Sequence, residues 1–128
     1  MKDFDSWNKE KKNLEQFGHD ALLFRERQIW WCSIGRNIGS EQDGKNEFFD
    51  RPVLVFRKFN SKLCWILPIS SKIKSGIYYY NLEYEGKIFS VLLSQLRLIS
   101  VKRFRRFEGI ISRSQFSMIQ DRIIAFIK

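Results

Sequence analysis

The chain has 128 residues, 44% of them apolar, which suits one globular domain with a single core. Its 23 Lys and Arg against 14 Asp and Glu give a formal net charge of +9, which favours polyanionic partners (RNA, DNA or an anionic membrane surface) without choosing among them. No run of apolar residues is long enough to span a bilayer and the N-terminus, "MKDFDSWNKEKKNLEQ", mixes acids with bases, so neither a membrane helix nor a secretory signal is expected and the expected compartment is the cytoplasm.

In chain order, Phe4, Trp7, Leu14 and Phe17 lie on an approximate helical stripe, with Asp3 and Asp5 near its start and Gly18 at its stop. This predicts an N-terminal helix within residues 1–26, an extension to the domain formed by residues 27–128. From Gln28 the period changes. "QIWWCSI" is aromatic and branched and ends at Gly35, the pattern of a first strand. A long polar loop follows, and then "PVLVFRKF", "LCWILPIS", "IYYYNLEY" and "KIFSVLL", separated by Asn60-Ser61-Lys62, a Ser/Lys/Gly stretch near residues 71–76 and Glu85-Gly86. These read as a meander of antiparallel strands. Pro52 suits a strand start, and Pro68 an edge or a bend.

"SQLRLIS" and the basic "VKRFRRF" lead into "GII". Ser112 with Gln115 then forms a capping box that opens a last helix, with Phe116, Ile119, Ile123 and Phe126/Ile127 as its buried stripe. The fold class is therefore mainly β with helices, a small twisted antiparallel sheet or partly open barrel with a helix over one mouth. Cys32 and Cys64 sit in apolar, aromatic runs without zinc-site spacing and are expected to be reduced core thiols.

Absences narrow the chemistry. His19 is the only histidine, which disfavours two-histidine nuclease sites, His-containing metal clusters and most serine triads. The carboxylates are scattered, no phosphate-cradling glycine loop occurs, and no cofactor or metal is expected. What remains is a basic surface with hydroxyl and guanidinium groups at strand ends. RNA cleavage needs no protein nucleophile, because the 2′-OH belongs to the substrate, and the protein has only to orient it and stabilise an anionic phosphorane. Pro52 pushes Arg51 into extended backbone, and a guanidinium held there can grip two phosphoryl oxygens. Ser70, at the end of the next strand, is placed to donate to the same phosphate. A solvated strand-edge arginine and a turn-forming serine are the plainer alternatives for this pair.

The blocks "IWWCSIG", "GSEQDG", "RPVLVF", "WILPIS" and "LSQLRLISVKRF" with "GII", in this order over about residues 27–127, resemble the MazF/PemK family of toxins from type II toxin-antitoxin systems. The resemblance implies a small CcdB/PemK-like β-barrel, a homodimer, and a metal-independent, sequence-selective endoribonuclease acting on single-stranded mRNA and neutralised by a cognate antitoxin. It assigns catalytic roles at the scissile phosphate to Arg51 and Ser70. It places Gln95 in an active-site motif, and Ser40, Glu41 and Gln42 in a loop that contacts RNA and antitoxin. Three features depart from the family pattern. "DGKNEFFD" lengthens the loop before Arg51, Ser70 stands where threonine is common, and the N-terminal helix has no counterpart in the shortest members.

Lys102, Arg103, Arg105 and Arg106 form the densest basic cluster, and Lys72, Lys74 and Arg97 are expected to join it in tracking phosphates. Phe48 and Phe49 read as an anchor on the barrel or as stacking groups for bases. In "YYY" the strand period sets Tyr79 against Tyr78 and Tyr80, and it likewise divides Trp30 from Trp31, one for the core and the other for a dimer or helix contact. Glu41 and Asp50 are the available general bases. Two other functions fit the same chain, a CcdB-like inhibitor of DNA gyrase and a basic RNA-binding module without activity.

Overall fold

The structure is a computed structural model that describes residues 23–34 and 50–127. The expected N-terminal helix, His19, and the loop carrying Ser40, Glu41, Gln42, Phe48 and Phe49 lie outside the described residues.

Strands β1 (Gln28–Ser33), β2 (Asp50–Lys58), β3 (Leu63–Ser70), β4 (Tyr79–Tyr84), β5 (Lys87–Leu92), β6 (Arg97–Ser100) and β7 (Phe104–Ile110) precede a helix, α1 (Arg113–Ile127). All pairings are antiparallel, in the order β4-β5-β3-β2-β1-β7, with β6 paired to β3. The central strands carry consecutive buried residues because both of their faces are covered. Val53, Val55, Cys64 and Ile66 join Trp30, Cys32 and Phe104 on one face, while Leu54, Leu67 and Ile69 join Ile29, Leu82, Val91 and the helix residues Phe116, Ile119 and Ile123 on the other. Trp30 stacks on Phe104 at 5.0 Å and 13°.

The sheet does not close into a barrel by hydrogen bonds, because its outer strands β4 and β7 share no ladder. A side chain bridges them instead: the Tyr84 hydroxyl donates to the Glu108 carbonyl at 3.2 Å. Gly109 makes room for this bridge, since a methyl there would overlap the tyrosine hydroxyl. The β4–β5 hairpin turns at Glu85 and Gly86, whose φ values of 51° and 77° identify the left-handed pair that a two-residue turn requires.

Element boundaries differ from the sequence pattern in three places. β2 begins at Asp50, so Arg51 lies inside the strand. "SQLRLIS" is divided: Ser94 and Gln95 belong to a 3-10 turn (Leu93–Gln95), leaving Arg97–Ser100 as strand. Likewise Val101–Arg103 form a 3-10 turn, capped by Ser100, before β7 begins. At the start of α1, Ser112 Oγ accepts from Gln115 N at 3.2 Å, one half of the expected capping box. The Gln115 amide does not complete the box. It accepts from Glu83 N and donates to Glu83 O, both at 3.0 Å, pairing with the outer edge of β4 as a strand residue would. The last turn of α1 is not buried as expected: Ile127 is 79% exposed, and Phe126, 40% exposed, rests on Tyr78. Among the described residues no helix is long and apolar enough to cross a membrane.

Candidate active-site groove

Both prolines of the chain stand where the β2–β3 ladder ends. Val53 pairs with Pro68, the last partner pair of that ladder, and continuing the register would set Pro52 opposite Ile69 and Arg51 opposite Ser70. Proline has no N–H to offer a ladder, so the backbone bonds that would zip the strands further are missing at this point. The strands part instead. β2 continues beside β1, with Arg51 opposite Cys32 and Asp50 opposite Ser33, while β3 turns to β5, with Ile69 opposite Val91 and Ser70 opposite Ser90. Pro68 therefore marks the expected bend, after β6 pairing stops at Ile66 and before β5 pairing starts at Ile69.

The parting opens a groove of about 550 Å³. It is lined by Asp50, Arg51, Ser70 and Lys72, by Trp31, Tyr84, Glu85, Lys87, Phe89 and Glu108, and by the apolar Ile29, Ile69 and Leu82. That volume is within the range of pockets that take small ligands. Ser70 is 3% exposed and its Oγ accepts from Lys72 N at 3.1 Å, a serine turn that ties Lys72 to the groove wall. Its neighbour Ser90, fully buried, accepts from Lys74 N at 2.8 Å and donates to Asn81 at 3.3 Å, holding the same loop from β5. Asp50 forms an ion pair with Arg105 Nε at 3.3 Å.

Of the site residues expected from sequence, Arg51, Ser70 and Lys72 come together in the groove, whereas Gln95 and Arg97 do not line it. Gln95 is half-buried in the first 3-10 turn, and Arg97 is exposed on β6. Arg97 and Arg103 lie close enough to Cys32 to favour its thiolate, but burial dominates and pushes that thiol up to about 12. Cys64 is likewise pushed up to about 12 by burial. Both cysteines are free, buried and protonated at neutral pH, so neither is a nucleophile or a base. Among the described residues no three of His, Cys, Asp and Glu converge as a metal-ligand set.

The basic cluster is dispersed into separate tasks. Arg103 donates to the Ser33 carbonyl at 3.2 Å, Arg105 pairs with Asp50, and the Arg106 guanidinium covers the Trp31 ring at 4.6 Å. Trp30 is the core member of the tryptophan pair, and Trp31 lines the groove and donates from Nε1 to Glu108 at 2.9 Å. Sequence reasoning did not nominate Trp31, Tyr84 or Glu108 for the site. Only the β1–β7 pairing brings Trp31 and Glu108 together, and no local motif announces it. Tyr80 packs under α1 with its hydroxyl 3.4 Å from Gln115 Oε1, whereas Tyr78, expected on the same face, precedes β4, escapes its alternation and is exposed.

Comparisons with known proteins agree with this architecture. The family model for PemK-like, MazF-like toxins of type II toxin-antitoxin systems matches residues 25–127. No curated protein matches the chain by sequence. Among solved structures, the chain is similar to MazF from Deinococcus radiodurans (TM-score 0.64, 17% identity, 81% of this chain and 96% of that one). It is also similar to a mycobacterial endoribonuclease solved with its cognate antitoxin (TM-score 0.60, 8% identity, 80% and 92% covered). The Mycobacterium tuberculosis toxin MazF-mt6 is a third (TM-score 0.60, 16% identity, 79% and 97% covered). At these identities the likeness speaks for the fold.

Proposed function

This chain belongs to the PemK-like, MazF-like toxins of type II toxin-antitoxin systems, and on that premise we propose that it is an endoribonuclease cutting single-stranded RNA, mRNA in the cell, without a metal. The substrate's own 2′-OH attacks the adjacent phosphate and the bond to the 5′-oxygen breaks. Arg51 stabilises the extra negative charge that the phosphorane carries over the ground state. Ser70 assists through the same phosphate, and its turn presents Lys72 as a further cation along the RNA backbone. The observation that carries this reading is the convergence of Arg51, Ser70 and Lys72 at the point where the two proline-bearing strands part. Of the two carboxylates available as general base, Asp50 is held by Arg105 beside Arg51.

The proposal includes a homodimer and a cognate antitoxin as partners. Large exposed apolar side chains, Trp65 and Leu98 paired across β3–β6 and Phe126 with Ile127 on the helix end, are the kind of surface that association covers.

The test incubates purified protein with a long single-stranded RNA in excess EDTA and maps the cut ends, beside Arg51→Ala and Ser70→Ala. Discrete cuts by the wild type and a loss of about a hundredfold or more in Arg51→Ala are expected. Intact RNA at every protein concentration would end the nuclease reading, and inhibition of DNA gyrase without RNA cleavage would replace it. Cutting that persists at wild-type rate in Arg51→Ala would leave the activity and remove the site.

A further inference from the structure

A carboxylate is out of place in a groove for a polyanion unless it reads something other than phosphate. Glu108 lines the groove, and it is held more firmly than an exposed strand glutamate usually is. Its side chain accepts from Trp31 Nε1 at 2.9 Å and its carbonyl from the Tyr84 hydroxyl at 3.2 Å, so the side chain is tied to the neighbouring strand β1 and the backbone to the opposite outer strand β4. The Arg106 guanidinium covers the Trp31 ring but does not line the groove, so it backs the ring and leaves the space open. Trp31, Tyr84 and Phe89 give the groove flat apolar surface on which a base can stack. One oxygen of Glu108 takes the indole proton, and among the described residues nothing else bonds to the carboxylate.

We propose that Trp31, Tyr84 and Glu108 form a base-reading subsite that accepts a nucleobase with amino-type donors on its Watson–Crick edge, guanine best, and rejects uracil. Guanine offers adjacent N1–H and N2–H donors that match the two oxygens of a carboxylate. Uracil sets its single N3–H between two carbonyl oxygens, which the carboxylate repels. The inference rests on the RNA reading above, but it concerns selection and not cleavage. Glu108 is therefore a specificity residue, with Trp31 and Tyr84 positioning it.

Binding of short 2′-fluoro oligonucleotides, which lack the attacking hydroxyl, separates the two claims. A single guanine or uracil is scanned through an otherwise constant strand and affinity is read by fluorescence anisotropy. At one position wild type is expected to prefer guanine by about tenfold or more, the worth of a bidentate base contact. Glu108→Gln is expected to bring that ratio to within about twofold while overall affinity stays equal or rises, because a negative charge has gone. Trp31→Phe, which keeps a ring and removes the indole donor, should give a smaller loss of preference with thermal stability checked in parallel. An unchanged guanine-to-uracil ratio in Glu108→Gln, or a uniform weakening at all positions, would overturn the subsite. So would a Glu108→Gln defect confined to binding a protein partner. Preference without any RNA cleavage would leave the subsite standing and remove the nuclease; cleavage with no Glu108-dependent preference would do the reverse.

Discussion

Two groups of residues that line the groove are held by opposite means. For Arg51 and Ser70, backbone does the positioning: Pro52 and Pro68 end a ladder, the strands diverge, and both residues are left facing one opening. For Glu108, side chains do it: Trp31 reaches it from the neighbouring β1, and Tyr84 from β4 links outer strands that have no ladder between them. The chemistry differs as well. Arg51 and Lys72 bring cations to the first group, and Glu108 brings a carboxylate held by aromatic side chains to the second. A backbone-built site tolerates changes in neighbouring side chains, whereas a side-chain-built one depends on individual atoms, and that difference can be tested.

The largest effect is expected for Arg51→Ala, a loss of about a hundredfold or more in cleavage rate, with Arg51→Lys recovering only part because an ammonium lacks the planar fork. Next comes Gly109→Ala. The added methyl meets the Tyr84 hydroxyl, and overpacking of this kind costs about 1–3 kcal/mol, read as a lower urea midpoint. Combining it with Tyr84→Phe should restore part of that loss, and strict additivity of the two would show that the bridge is not the source of the strain. Ser70→Ala should slow cleavage by about tenfold, the worth of one hydrogen bond, while Ser70→Thr keeps the rate. If Ser70→Ala lowers stability and leaves the rate untouched, the serine serves only its turn with Lys72.

The smallest effect near neutrality concerns pH. Both thiols have folded-state values raised from 9.0 to about 12, so folding holds their protons more tightly than the unfolded chain does. Their contribution to stability is complete below pH 9 and declines as pH rises from there towards 12. Tyr80 and Tyr84, raised chiefly by burial, act in the same direction. Urea midpoints that are level up to about pH 8.5 and fall above it are expected, together with slow alkylation of the native thiols at neutral pH and fast alkylation in urea.

The proline-built part was legible because its signals are local. Pro52 constrains the residue before it, and Pro68 in "WILPIS" announces a break, so Arg51 and Ser70 could be nominated without knowing which strands are neighbours. The succession of strands along the chain followed from alternation and turn residues, Glu85-Gly86 above all, but their order in the sheet did not: the expected meander would set β4 beside β3, where β5 and β6 lie instead. What could not be read depends on pairing across the chain. Trp31 meets Glu108 only because β1 lies beside β7, with register shifts that no local pattern encodes. Gln115 has the sequence position of a capping partner and spends its amide on Glu83 instead, since the first turn of the helix lies against the edge of β4. The apolar Phe126 and Ile127 continue the helical stripe in sequence, but Phe126 rests on the exposed Tyr78, ahead of β4, and both stay at the surface.

That use of Gln115 has a consequence for self-association. An outer strand offers unpaired amides and carbonyls on which another chain can grow a ladder, and β4 is such a strand. By occupying the N–H and C=O of Glu83, one side chain from α1 blocks the middle of that template, so a strand added there would have to displace the glutamine first. With Arg122 of the same helix donating to the Tyr79 carbonyl, this amide works as a guard against open-ended strand addition in a protein that exposes Trp65, Leu98 and Phe126.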